Sequence, residues 1–257
     1  MTISTDKITT PDIIANVSRG FPPGVTRGEI LALQFYSLWD ISDYSSLTVD
    51  GSNRLAQIND QTGFNDIRQL TAAKIPNYVS PYGDFDGVDD AYTSSVANIS
   101  EYKFLHDGTG CTMCVAISPD DAASNDWILA TVINSTDTGI LLRINGNEFQ
   151  VSIFNGTSAV ISEASTGSAI SNGGKYSLIY TNDGVRSIGY INGVEVFNSD
   201  AAVSYASGNA NYNLNVGQRP DNTSNYNGKL YAAGLIDRAL SVSEVAILDG
   251  YQQGLMA

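Results

Sequence analysis

Hydrophobic and polar residues alternate through most of the chain, and the alternation predicts strands. In "TGILLRINGNEFQVSIFNG", 138–156, Ile140, Leu142 and Ile144 fall on one face. Asn145-Gly146 predicts a tight turn, after which Phe149, Val151 and Ile153 return along the next strand. "KYSLIYTNDGVRSIGYINGVEVFNSD", 175–200, repeats the device. Tyr176, Leu178 and Tyr180 alternate, Asn182-Asp183-Gly184 turns, Ile188 and Tyr190 run back, and Asn192-Gly193 turns into Val194 and Val196. "LALQFYSLWD" (31–40) reads as a buried strand, and "SLTVDGSNRLAQIND" as a hairpin turning at Asp50-Gly51. "NYNLNVGQRP" and "GKLYAAGLIDRAL" add two more strands. Only the last element is helical. Ser241 and Glu244 have capping-box spacing, Val245, Leu248 and Tyr251 form one stripe, and Gly254 is placed to end it. Hairpins without strand–helix alternation predict an all-β, antiparallel β-sandwich with one short C-terminal helix.

Residues 1–30 depart from this pattern. "TTPDIIANVSRGFPPGVTRGEI" has Pro22 and Pro23 side by side, Gly20, Gly24 and Gly28, and no sustained period. It reads as an extended N-terminal arm, either a loose terminus or a segment that orders on a partner. The division is therefore an arm, 1–30, and a sandwich domain, 31–257.

Charge narrows the partners. The 257 residues carry a formal net charge of −14, and only 16% of them are charged. Such a surface repels phosphate backbones and anionic lipids, so neither nucleic acid nor a membrane is expected as a partner. No segment has the length of a membrane span. "MTISTDKITT" lacks the basic start and apolar run of a signal peptide, so synthesis in a cytoplasm is expected. Cys111 and Cys114, three apart on a predicted strand, point to opposite faces and read as reduced strand residues.

Candidate chemistry is sparse. "FDGVDDAYT" gathers Asp86, Asp89 and Asp90 around Gly87, with Phe85 and Tyr92 as core anchors on either side. The acids suit a hard cation such as calcium, or equally the capping of turn amides. Glu148, Glu163 and Glu195 each lack a second acid two or four residues away, so no glycosidase pair is visible. His106, the one histidine, reads as a surface-loop residue, and no G-x-S-x-G accompanies it. No catalytic, cofactor-binding or metal-binding residue is assigned, and the chain reads as non-enzymatic. Tyr205, Tyr212 and Tyr226 sit in predicted loops and are the candidates for stacking on a sugar.

The phrases "FDGVDDAYT", "SIGYINGVEV", "LNVGQRP" and "YNGKLYAAGLIDRALSVSEV" together resemble the laminin-G-like branch of the concanavalin A-like jelly rolls. "LWDISDYSSL" and "LAQINDQTGFN" resemble the opening of versions found in phage virion and bacterial surface proteins. Ile58 stands where that loop has an aromatic, and Thr62 where it has Ser. The resemblance spans about 31–254 and implies a jelly-roll β-sandwich, with calcium as an occasional ligand. It also implies a virion structural protein: a capsid decoration, head-fibre or tail-associated protein. The arm would attach to other capsid or tail proteins, and the chain would act as a homo-oligomer. The alternative is a carbohydrate-binding or host-attachment module for surface glycans. A polysaccharide hydrolase ranks last.

Overall fold

The computed structural model describes residues 25–94, 99–167, 169–200 and 204–257. Among them, two antiparallel sheets of eight and nine strands account for most of the regular structure. The first sheet runs, edge to edge, β15 (Val194–Asp200), β14 (Arg186–Ile191), β13 (Tyr176–Asn182), β8 (Cys111–Pro119), β17 (Asn227–Ile236), β6 (Tyr82–Asp86) and β5 (Asn77–Val79). β1 (Ser37–Asp40) pairs with the C-terminal half of β17. The second sheet runs β12 (Ala159–Ala164), β11 (Glu148–Asn155), β10 (Thr138–Asn145), β9 (Asn125–Ala130), β16 (Asn215–Val216), β7 (Tyr92–Ser94), β4 (Ile67–Arg68), β3 (Leu55–Ile58) and β2 (Leu47–Val49). The predicted antiparallel sandwich is the one formed.

The tight turns explain the register. Asn192 (φ 51°) and Gly193 (φ 73°) are the two central residues between β14 and β15, as the dipeptide predicts. Between β10 and β11 the central pair is Gly146 (φ 61°) and Asn147 (φ 68°), one residue later than expected. Asn145 is instead the last residue of β10 and pairs with Glu148. The inward faces supply the main core: Met113, Val115, Leu178 and Tyr180 from the first sheet meet Ile140, Leu142, Phe149 and Val151 from the second. Asp60 fastens the loop after β3 by accepting from the amides of Leu38 (2.8 Å), Thr62 (3.0 Å) and Asn65 (3.1 Å). The Thr62 hydroxyl donates to the same carboxylate at 2.6 Å, a role that Ser could also fill.

Two helices cover the outward face of the first sheet, where one was expected. α1 (Arg27–Ala32) starts at a capping box in which the Glu29 carboxylate accepts from the Thr26 amide at 2.8 Å. Residues 27–30 of the expected arm are therefore helical, and Ile30 is buried against the sandwich. The arm's residues 1–24 lie outside the described residues. α2 (Val242–Leu255) starts at the Ser241–Glu244 box, and Val245, Leu248 and Tyr251 are buried as predicted. It runs through Gly254 rather than ending there. Its stripe packs on Ala116, Ile179, Tyr190 and Tyr231, which makes the outward face of the first sheet apolar as well.

A buried hydrogen bond ties α2 to the first sheet: Tyr251 Oη donates to Asp40 at 2.6 Å. Asp40 also accepts from the Ser42 amide (2.8 Å) and hydroxyl (2.6 Å), and burial pushes its pKa upward. Tyr251→Phe removes one donor from this buried acceptor. The expected loss is about 1–3 kcal/mol of unfolding free energy, measured by urea titration.

Candidate functional site

The acidic turn joins β6 to β7. Phe85 and Tyr92 anchor it in the core edge to face, with ring centroids 5.7 Å apart. Gly87 takes φ +73°, and a Cβ there would lie 2.7 Å from Asn227 Cβ, so only glycine fits this bend. Asp86 Oδ1 accepts from the amides of Val88 (2.8 Å) and Asp89 (3.3 Å), and Asp90 Oδ2 accepts from the Asp86 amide at 3.0 Å. Of the two readings open in the sequence, amide capping is therefore present for Asp86 and Asp90. One oxygen from each of Asp86, Asp89 and Asp90 falls within 4.8 Å of the others, the grouping that could hold a hard cation. Asp90 is buried, and burial pushes its carboxyl up to about 6.

The loop 217–227 fastens this turn to the second sheet. Asn225 Nδ2 donates to the Val88 carbonyl, and the Asn227 amide donates to Asp126 Oδ2 at 3.1 Å. Asp126 also accepts from the Ser124 hydroxyl, and burial raises its carboxyl to about 6.

The remaining sequence candidates do not converge. Glu148, Glu163 and Glu195 lie on β11, β12 and β15 and accept from Gln150, Ser199 and Asn198 respectively. His106 is not a surface residue: it is buried, its Nε2 lies 3.1 Å from the Gly208 carbonyl oxygen, and its Nδ1 has no partner among the described residues. Burial lowers its pKa. Tyr226 is fully buried and donates to the Lys229 carbonyl at 3.0 Å, so it is no sugar platform. Tyr205 is half-buried and bound through its hydroxyl to Asn182 at 3.2 Å. Tyr212 is half-buried, and its amide donates to Thr131. Cys111 faces the main core and Cys114 the helix layer, as the strand period predicts.

A cluster the sequence reading did not single out lies on the outward face of the second sheet. Leu142 pairs with Leu129 but Arg143 with Trp127, so Ile128 is an extra residue in β9. This bulge leaves both Ile128 and Leu129 in the main core and turns Trp127 outward, into a separate apolar cluster with Leu141 and Phe154. Arg143 lies opposite Trp127. Its Nε donates to Gln150 Oε1 and its Nη1 to Asn125 Oδ1, both at 3.0 Å. Asn125 Oδ1 also accepts from Trp127 Nε1 at 3.1 Å. From the loop, Arg219 lies over the Trp127 ring, its Cζ 5.2 Å from the centroid. Trp127, 5% exposed, thus lies beneath the Arg219 guanidinium and bonds Asn125 at its edge. The one signal in the sequence was Arg143 itself, a lone charge inside an alternating strand.

Two face-to-face antiparallel sheets, one covered on its outward face by helices, define a jelly-roll β-sandwich. The chain belongs to the concanavalin A-like lectin/glucanase superfamily, whose laminin-G-type family model matches residues 86–246. Solved structures agree on the fold. A Trypanosoma rangeli sialidase in complex with 2,3-difluorosialic acid superposes with a TM-score of 0.65 at 15% identity, over 95% of this chain and 37% of that one. The same enzyme with the inhibitor DANA gives 0.64 at 14%, again covering 95% and 37%. The botulinum neurotoxin serotype D binding domain gives 0.59 at 13%, over 84% of this chain and 50% of that one. The chain spans well under half of each sialidase. At these identities the likeness is one of fold, and no enzymatic activity is established by it. No curated protein matches the sequence.

The raised carboxyls predict a pH response. Folded Asp126 takes its proton near pH 6, whereas unfolded it does so near the ordinary 3.8. Between these values only the folded state holds the proton, so acidification through this window stabilises the fold. Asp126→Asn lacks that response. The wild-type melting temperature minus that of the variant is expected to rise as pH falls from about 7 to about 4, measured by scanning calorimetry.

Proposed function

We propose that this chain is a non-enzymatic carbohydrate-binding module that holds a glycan on the outward face of the second sheet, around Asn125, Arg143, Gln150 and Arg219. One observation carries the reading. Asn125, Arg143 and Gln150 are linked by hydrogen bonds at the edge of a buried indole and Arg219 lies over its ring, on a face that no helix covers among the described residues. Amides and guanidinium groups match pairs of neighbouring hydroxyls in direction, and prior ordering lowers the entropy lost on binding. The family supports the reading at the level of the fold, which lectins and glucanases share. The virion setting, with attachment through the arm, concerns chiefly residues 1–24, outside those described, and the comparisons support the glycan-binding alternative instead.

The test is a glycan array with the full chain, followed by calorimetry on the best hit. Arg143→Ala and Gln150→Ala are each expected to weaken binding by about tenfold or more, with unchanged far-ultraviolet circular dichroism. Absence of binding to every saccharide class would overturn the reading.

A further inference from the structure

We infer that the saccharide recognised at this face carries a carboxylate, and that Arg143 and Arg219 are the groups that select it. The inference rests on the carbohydrate-binding reading and names the ligand class of the same site.

Arg143 is a cation with no acid partner among the described residues. Arg54, Arg186, Arg219, Lys229 and Arg238 each form an ion pair with a carboxylate of this chain. Arg143 forms none among the described residues, and neither do Arg68, Lys74, Lys103 and Lys175, but Arg143 sits half-buried on a sheet face. Its hydrogen bonds go to two neutral amide oxygens, and Nη2 has no partner among the described residues. The side chain is half-buried, and loss of solvent lowers its pKa. A partly desolvated guanidinium without a counter-ion carries a cost that an incoming anion would offset.

The second guanidinium is paired with an acid of the chain but adjoins the same ring. Arg219 lies over the indole that shares Asn125 Oδ1 with Arg143, so both guanidinium groups border one ring. Arg219 pairs with Asp221 through Nη2 at 3.0 Å, while its Nε is buried without a hydrogen-bond partner among the described residues. Glu148 is the nearby acid on the other side, but it accepts from Gln150 rather than from Arg143. The bonds from Nε and Nη1 hold the Arg143 guanidinium in place and leave Nη2 as its free donor, on a planar group whose edge suits a carboxylate oxygen.

The rest of the surface limits the size of the anion. A net charge of −14 repels polyanions, so a densely sulfated or phosphorylated polymer is disfavoured. A saccharide with a single carboxylate, terminal or within a short oligomer, presents its charge only where the two arginines are.

Calorimetry with the full chain tests this using matched ligands: 3′-sialyllactose against lactose, and galacturonic acid trimer against its methyl ester. At least one acid is expected to bind about tenfold or more tightly than its neutral counterpart. Arg143→Gln should abolish the difference, and Arg143→Lys, which keeps the charge but loses the fork, should restore only part of it. Arg219→Gln should also reduce it. Circular dichroism and melting temperature establish that each variant is folded, and the wild-type comparison stands independently of the variants. Neutral counterparts binding as well as the acids would overturn the inference while leaving a carbohydrate-binding module. No binding to these ligands or to any glycan on the array would overturn both.

Discussion

The molecule depends on the pairing of Cys111–Pro119 with Asn227–Ile236 at the centre of the first sheet. All nine residues of the first of these strands are buried, because the second sheet covers one face and the helices the other. The partner strand continues the layer by pairing with β6 along its first half and with β1 along its second. The helix layer and the acidic turn both take their positions from this pair. Its strands lie more than a hundred residues apart in sequence, so the loop-closure entropy is large and the pair depends on burial to offset it.

Buried carboxylates do a second kind of structural work. Asp40, Asp60, Asp90 and Asp126 are all taken largely out of solvent, and in each burial is the largest influence on the pKa and raises it. Each also accepts at least one backbone amide, which favours the charged form. The acids therefore organise loops at the ends of strands rather than meeting in a common cleft. The basic groups are arranged differently: Arg54, Arg186, Arg219, Lys229 and Arg238 are tied to acids of the chain, and at the face around Trp127 two guanidinium groups adjoin the same ring.

Much of the sandwich was legible because it follows the two-residue period and glycine-containing turns. The limits have specific causes. Asn145-Gly146 and Asn192-Gly193 look alike as dipeptides, but strand register decides which residues occupy the turn centre. α1 is only six residues long, too short for periodicity to reveal, although Thr26 and Glu29 carry the same capping signal read correctly at Ser241. His106 is buried beside Gly208, a neighbour 102 residues away that no local pattern indicates. The bulge at Ile128 was equally invisible, since an extra strand residue looks like any other in sequence. It is what turns Trp127 outward, and so the acidic turn could be anticipated while the arginine-bordered face could not.

The placement of the two cysteines has a consequence for where such a fold can persist. Cys111 and Cys114 lie on opposite sides of one sheet, in separate apolar layers, and burial pushes both thiols up to about 12. They are poorly placed to bridge to each other and are held in the unreactive protonated form. The architecture is thus indifferent to redox poise: neither an oxidising nor a reducing medium has a bond to make or break in holding it together.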